Sequence, residues 1–523
     1  MLKPYLQKNY YQNHSLAQTK EKLVMNHTKK IVLGLFFFAL SPCQAEEVEL
    51  ETIRSTQTVA QACDLESYSH APNETETRAL KAAVSTQITP APKKQLTILL
   101  YIQARNNLGP FAIQNLRAVT SVGSSPDVNF IIQWEQPGQK GVFRYALEGH
   151  QIIEKYRNLE DNAITKPLDR LINAFQWTVT QYPSDKVAVF YWNHGLGPID
   201  PIWGNPLRLL TYAHHPRINQ RVDIGGITHI SNDHHRGLMF DEEAKVYLNT
   251  TELVKAAHSM KQILGRKLDL IGFDACFMST IEIWHLLSDY AHVGVGSADI
   301  ELATGWHYAG IMQQLKKPNA SAADLASAIV SSYGQFYNGR THLYTLSAVN
   351  LDSISAIKKN LDAVSHALQG HMDLFGKRFK QVIIKARKST LEYANPMFAD
   401  MRSFYIELYK QLSSTPLTKT NDPAAQYPTV HQSSGLYSEA RDTLEIKDLK
   451  HSLLEGIKLM DSAIVAHTSS AHLSRSSGFG IYFPCRDFYN SYCSGIFSKV
   501  AIWPDFVKKF FTMIQEREYA QMF

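Results

Sequence analysis

Through the middle of the chain, short apolar runs alternate with helix-length amphipathic stretches. The runs LTILLYIQA (from Leu96), VNFIIQWE (128–135), KVAVFYW (186–192), LDLIGF (268–273), HVGVGSA (292–298) and HLYTLSAVN (342–350) carry apolar residues on consecutive positions. That pattern marks strands buried on both faces. GVFRYAL (141–147) mixes polar and apolar residues and reads as an edge strand paired with VNFIIQWE. Between the runs lie GPFAIQNLRAVTSVG, LDRLINAFQWTVTQY, TTELVKAAHSMKQIL, FMSTIEIWHLLSDY and AADLASAIVSSYGQFY, with apolar residues three and four apart. These predict helices, the first closed by Gly123. Strand and helix in alternation predict an α/β fold, an α/β/α sandwich with a mostly parallel central sheet.

Past residue 355 the chain turns mainly helical and polar, until the strand-like SGFGIYFP (477–484) and the amphipathic PDFVKKFFTMI. The expected division is therefore a main domain over 95–355, with an insertion at 198–237, and a C-terminal helical extension over 356–523. The extension reads either as an added subdomain or as the far edge of the same sheet. Ahead of the main domain, residues 46–94 are rich in Glu, Thr, Ser, Ala and Gln and end in TPAPKKQ, which suits a pro-segment or linker. No internal repeat of the solenoid kind is present.

Charge changes the picture at one end only. Residues 1–45 hold six lysines and one acid, so this segment carries +5, the net charge of the whole 523-residue chain. The remainder is neutral, and there is no electrostatic case for a nucleic-acid partner. Lys29-Lys30, the apolar run Ile31 to Leu40 and the SPCQA that follows read as a signal peptide over 1–45, with Met25 an alternative start. Ten apolar residues are too few to span a bilayer, so an exported protein, secreted or periplasmic, is expected without a stable membrane span. A lipid anchor on Cys43 is the less favoured alternative, because Pro42 fits such a site poorly.

The candidate chemistry lies where two buried strands end. KVAVFYW runs straight into Asn193-His194-Gly195, and LDLIGF into Asp274-Ala275-Cys276. In mostly parallel sheets, sites form beyond the carboxyl ends of strands. If the two strands are neighbours, thiol and imidazole meet on one rim, where a thiolate can attack a carbonyl and an imidazole can supply a proton to the leaving amine. The backbone N–H groups of Gly195 and Cys276 are candidates for an oxyanion hole. The blander alternatives are a core cysteine, since free cysteine is commonly buried, and a turn histidine.

NHG after one strand, DAC after the next long one, then GSADIELATGWHY, LYTLSAVN and SGFGIYFP together resemble the clostripain-like cysteine peptidases, family C11, whose fold is similar to that of caspases and gingipains. The resemblance covers roughly residues 96–350 and the segment near 480. It implies a secreted cysteine endopeptidase acting on protein or peptide substrates, with Cys276 as nucleophile and His194 as its partner. It further implies a preference for Arg or Lys before the cleaved bond, through Asp274 as a pocket wall, with Asp299 as a second acid and Trp306 completing the candidate substrate-binding set. Ala303 and Thr304 stand where the family commonly has Gly and Asp, so the acid complement departs from the family there. Activation by self-cleavage between His194 and Cys276 is also implied, and Arg208, Arg217, Arg221 and Arg236 are the candidate points. The rival from another class is an exported binding protein on the same scaffold with an inert thiol.

No cofactor is required by this sequence. Calcium, which some family members need, has Asp241-Glu242-Glu243 as candidate ligands, although three consecutive acids more often form a solvated face or a helix start. His214-His215 and Asp233-His234 lack the spacing of a zinc site. Cys485 and Cys493, in CRDFYNSYC, read as a local disulfide in an oxidising compartment, which leaves Cys63 and Cys276 free or paired with each other.

Overall fold

The computed structural model describes residues 57–65, 90–159, 166–200, 238–317, 321–415, 417, 444–485 and 488–513. The strands are β1 (Lys94–Gln103), β2 (Val128–Glu135), β3 (Val142–Glu148), β4 (Gln151–Asn158), β5 (Ser184–Trp192), β6 (Leu238–Asp241), β7 (Val246–Leu248), β8 (Leu268–Asp274), β9 (Ala291–Gly296), β10 (Thr345–Asn350), β11 (Phe398–Asp400), β12 (Ile464–Ser469) and β13 (Gly480–Tyr482). The helices are α1 (Val59–Ala62), α2 (Gly109–Val122), α3 (Pro167–Gln181), α4 (Thr250–Leu264), α5 (Ile281–Leu287), α6 (Tyr308–Gln314), α7 (Ala322–Tyr337), α8 (Ile354–Ser389), α9 (Met401–Ser414), α10 (Leu444–Ala463), α11 (Asn490–Ser494) and α12 (Trp503–Met513). Among the described residues, nine strands form one sheet in the order β12-β10-β9-β8-β5-β1-β2-β3-β4. The central run from β9 to β2 is parallel, and the flanking strands on both sides are antiparallel.

The consecutive apolar positions of the central strands are what a sheet covered on both faces requires. Along β5, Val187, Val189 and Tyr191 enter one core with Leu171 and Phe175 of α3 and Leu253 of α4. Ala188, Phe190 and Trp192 enter the other, with Leu116 of α2, Ile311 of α6 and Ile329 of α7. The two-residue pleat thus divides one apolar run between two helical layers. Gly272 on β8 makes room for one large ring, since a Cβ there would lie 2.7 Å from Trp306 Cη2.

The boundary drawn at residue 355 does not separate two bodies. β12 adds itself to the main sheet by antiparallel pairing with β10, and Gly480 bridges to Thr280, four residues past Cys276. Residues 49–523 form one compact unit. Part of the expected linker is also packed: Val59, Ala62, Cys63 and Leu65 are buried in the same core as α8 and α12. GVFRYAL is not the edge of the sheet either, because β4 pairs outside it. No helix among the described residues is long and apolar enough to cross a membrane.

The anticipated disulfide is absent. Cys485 and Cys493 each keep a thiol, the first donating to Glu392 Oε2 (3.3 Å) and the second to the Pro504 carbonyl (3.6 Å). Cys493 sits on the short helix α11 with the Pro504 carbonyl as its acceptor.

Glu282, in the first turn of α5, ties this helix to the C-terminal segment by accepting from Tyr482 N–H (2.8 Å) and Tyr492 O–H (2.9 Å). Burial pushes its carboxyl up to about 7, although those donors pull the other way. An unfolded glutamate ionises near 4.5. Below that value both states hold the proton; between it and about 7 only the native state does, so stability falls as pH rises through this window, by up to about 1.4 kcal/mol per pH unit. Urea midpoints taken at about pH 5 and about pH 7 should show the wild type weaker at the higher pH and Glu282→Gln with a shallower decline. An equal or steeper decline in the variant would contradict the assignment.

Candidate active site

β5 and β8 are direct neighbours, and their register pairs Trp192 with Asp274. His194 and Cys276 therefore stand the same two residues past a paired position, at the carboxyl ends of adjacent parallel strands. The pairing continues through Asn193, whose N–H donates to the Asp274 carbonyl at 3.3 Å. The two turns then pack on each other. A Cβ on Gly195 would lie 2.5 Å from the Cys276 carbonyl oxygen, and one on Gly197, at φ +59°, would lie 2.7 Å from the Phe277 carbonyl oxygen. Glycine is required at both positions by this close approach.

Exposure separates these two residues from their surroundings. From Val187 to Ile199 every residue is buried except His194, and from Leu270 to Trp284 every residue is buried except Cys276. Phe277, directly after the thiol, adopts φ +59°, a left-handed conformation that costs a residue with a Cβ roughly 1–2 kcal/mol. Its ring stacks on Phe398 of β11 at a centroid distance of 5.0 Å, and its N–H donates to the Asp299 carbonyl at 3.0 Å. These contacts hold the turn that lifts Cys276 out of the strand line. The sulfur accepts from Glu301 N–H at 3.2 Å, a bond that supports a thiolate.

Sequence reasoning missed Asn107. Its Oδ1 lies 2.8 Å from His194 Nε2, and because an amide oxygen only accepts, Nε2 carries the hydrogen and Nδ1 is left as the basic nitrogen. Asn107 follows β1, the neighbour of β5 on the side away from β8. Asn193 braces the histidine from below. Its Nδ2 donates to the carbonyls of Gln103 (2.5 Å) and Phe240 (3.1 Å), and its Oδ1 accepts from His194 N–H.

The expected substrate-binding set is placed differently. Asp274 is buried, with Oδ2 accepting from Trp306 N–H (3.1 Å) and Tyr308 O–H (2.9 Å), so it anchors the 301–308 loop and is no open wall. Burial pushes its carboxyl up to about 7, against the pull of those two donors. Asp299 is also buried: its Oδ1 accepts from Ile300 N–H (2.7 Å) and Ala394 N–H (2.9 Å), and burial raises it to about 6. Trp306 is a core residue packed edge-on against Phe190, with ring centroids 5.4 Å apart. Thr304 Oγ1 pairs with Tyr337 Oη at 2.5 Å.

Asp241, first of the acidic triplet, turns inward to Arg105 (3.3 Å), while Glu243 Oε1 accepts from Gly138 N–H (2.7 Å). The triplet does not converge on one point, and among the described residues no group of three or more His, Cys, Asp or Glu could hold a metal ion. The candidate cleavage points Arg208, Arg217, Arg221 and Arg236, the histidines 214, 215 and 234, and the signal segment lie outside the described residues.

A thiol and an imidazole on adjacent strand ends of an α/β/α sheet define the class as caspase-like cysteine endopeptidases. The profile of the clostripain family, peptidase C11, matches residues 225–510, more than half of the chain, and the chain belongs to that family. Its fold is similar to that of a secreted C11 cysteine protease from Bacteroides thetaiotaomicron, "iotapain", at 15% identity and a TM-score of 0.51, over 78% of this chain and 100% of that one. Similar at lower scores are a secreted C11 cysteine protease from the same organism with an irreversible peptide inhibitor (14% identity, TM-score 0.49, 80% of this chain and 99% of that one) and an inactive zymogen C11 protease from Parabacteroides distasonis (16%, 0.47, 79% and 99%). No curated protein sequence matches the chain.

Proposed function

We propose that this cysteine endopeptidase works through a Cys276–His194 dyad, cuts after Arg or Lys, is exported, and is activated by cleavage of its own chain between the two dyad residues. The observation that carries the dyad is the placement of both groups at neighbouring strand ends, each the one solvent-reaching residue of a buried segment. His194 takes the thiol proton, and the Cys276 thiolate attacks the carbonyl carbon of the scissile bond. Negative charge then builds on the carbonyl oxygen, where the N–H groups of Gly195 and Cys276 are the candidate donors. The imidazolium returns its proton to the departing amine as the C–N bond breaks, leaving a thioester. Water, deprotonated by the same imidazole, attacks the thioester, and the carboxylic acid leaves as the thiol is restored.

Self-cleavage is supported by the chain between the dyad residues, which is long, rich in Pro, Gly, His and Arg, and without a sustained helical or strand period. Export is supported by the Lys29-Lys30 and apolar pattern of residues 29–45. Purified wild type and Cys276→Ala, run side by side on a denaturing gel with intact-mass analysis and assayed on Arg, Lys, Gln and Leu peptides, test the reading together. Fragments and basic-selective hydrolysis in the wild type alone support it. Identical fragments in both proteins remove self-cleavage, and a flat substrate profile removes the basic preference.

Asn107 enters this reading as a positioning residue. Asn107→Ala should lower kcat by roughly 10- to 100-fold through loss of ring orientation, leave KM within a few-fold and change the pH profile of kcat. Asn107→Asp, which keeps the acceptor and adds a negative charge, should shift the acid limb of that profile upward in pH. Unaltered pH profiles in both variants would show that the contact is merely structural.

A further inference from the structure

Among the described residues, β6 stands outside the nine-stranded sheet and pairs with β7 in a sheet of two strands. The pairing is irregular. Leu238 lies opposite Leu248 and Asp241 opposite Val246, so Met239 and Phe240 together face Tyr247. Such a bulge bends a strand and re-aims the groups it carries. Met239 takes φ +58° within it, a left-handed conformation that is unfavourable for a residue with a Cβ. The carbonyl of Phe240 accepts from two buried asparagines just past the ends of β1 and β5: Asn106 Nδ2 at 2.8 Å and Asn193 Nδ2 at 3.1 Å. The next two residues pin the bulge to the same place. Asp241 Oδ2 lies 3.3 Å from Arg105 Nη1, and Glu242 N–H donates to the Arg105 carbonyl at 2.8 Å.

Each donor is next in sequence to a group that sets the imidazole. Asn193 directly precedes His194, and Asn106 directly precedes Asn107, whose Oδ1 meets His194 Nε2 at 2.8 Å. Asn107 is exposed, so core packing does not set the direction of its amide. The turn that carries it does. Asn106 closes that turn from both sides: its Oδ1 accepts from Leu108 N–H (2.9 Å), and its Nδ2 fastens the turn to Phe240. One carbonyl on β6 therefore holds both supports of His194.

We propose that the Phe240 carbonyl is the anchor from which His194 is aimed, and that Asn106 is the positioning residue that carries this constraint to Asn107 and the imidazole. The inference rests on the reading of His194 as the partner of Cys276. It has a consequence for a cleaved chain. A cut at any of Arg208, Arg217, Arg221 or Arg236 leaves Asn106, Asn193 and His194 on one piece and Phe240 on the other, with Cys276. The piece that holds the thiol then also aims the imidazole of its partner piece.

The test measures kcat and KM across pH for the wild type, Asn106→Ala, Asn107→Ala and the double variant. Asn106→Ala should lower kcat by roughly tenfold through loss of ring orientation, leave KM within a few-fold, and change the pH profile of kcat in the same sense as Asn107→Ala. The double variant should have a kcat within about twofold of Asn107→Ala alone, because the two residues act through one contact. Losses that multiply in the double variant, or a kcat lowered with the wild-type pH profile, overturn the inference and leave the dyad standing. So does a wild-type kcat in Asn106→Ala. A wild type that hydrolyses no peptide removes the dyad reading and this one with it. Should Asn106→Ala fail to fold, Asn106→Asp assayed at about pH 8 decides the matter. Its carboxylate still accepts from Leu108 N–H and cannot donate to Phe240: a roughly tenfold fall in kcat supports the anchor, and an unchanged kcat overturns it.

Discussion

Cys276→Ala is expected to bring peptide hydrolysis down to background, a loss beyond about 10⁴-fold, because no other group on the rim can form the thioester. His194→Ala should cost roughly 10²–10⁴-fold, the range of a proton-transfer catalyst. Neither change should unfold the protein. Both side chains are half-exposed at strand ends, and the cores on either face of the sheet are built by other residues. Thermal melts of the two variants should coincide with the wild type, and the double variant should be no worse than Cys276→Ala alone, since the imidazole has no function without the thiol. Residual hydrolysis in Cys276→Ala at more than a hundredth of the wild-type rate would point to another nucleophile.

The second large effect concerns stability. Glu135, at the carboxyl end of β2 and wholly buried, accepts from Arg170 Nη1 (2.6 Å), Tyr101 O–H (2.7 Å) and Gln103 Nε2 (2.7 Å), and Arg105 Nη1 lies 3.3 Å away. Asp241, at the end of β6, shares Arg105 at 3.3 Å. Two buried arginines thus face two buried carboxylates. Glu135→Ala strands one positive charge in the interior and should cost about 3–5 kcal/mol. Glu135→Gln should cost less, because the amide oxygen still accepts while the charge is lost. The network also ties β6, through Asp241, to Arg105 just past β1 and so to Glu135 at the end of β2. Denaturant melts of the two variants check this, and a Glu135→Ala protein within about 1 kcal/mol of the wild type would contradict it.

What could be read in the chain and what could not divide along a physical line. Buried parallel strands need apolar residues on both faces, so KVAVFYW and LDLIGF announced themselves, and the residues after them pointed to His194 and Cys276. β4, with the sequence QIIEKYRN, lies at the edge with no position buried, and β12, with IVAHTS, continues directly from a helix. Neither offers an apolar run long enough to be noticed. Side-chain direction was the other gap. The family resemblance made Asp274 a pocket wall, but its carboxylate turns inward to Trp306 and Tyr308, and nothing in DAC reveals that. Asn107 obeys the same strand-end rule as His194, being a polar residue just past β1.

The claim that a thiol and an imidazole act as one unit on this rim is tested most directly by the rate at which iodoacetamide alkylates Cys276 as pH is varied, with the label located by peptide mass mapping. The wild type should react rapidly at neutral pH, well below the ordinary thiol range near 8.5. His194→Ala should react slowly until the pH approaches that range. Slow labelling of the wild type at neutral pH, or the same profile in both proteins, would contradict the dyad.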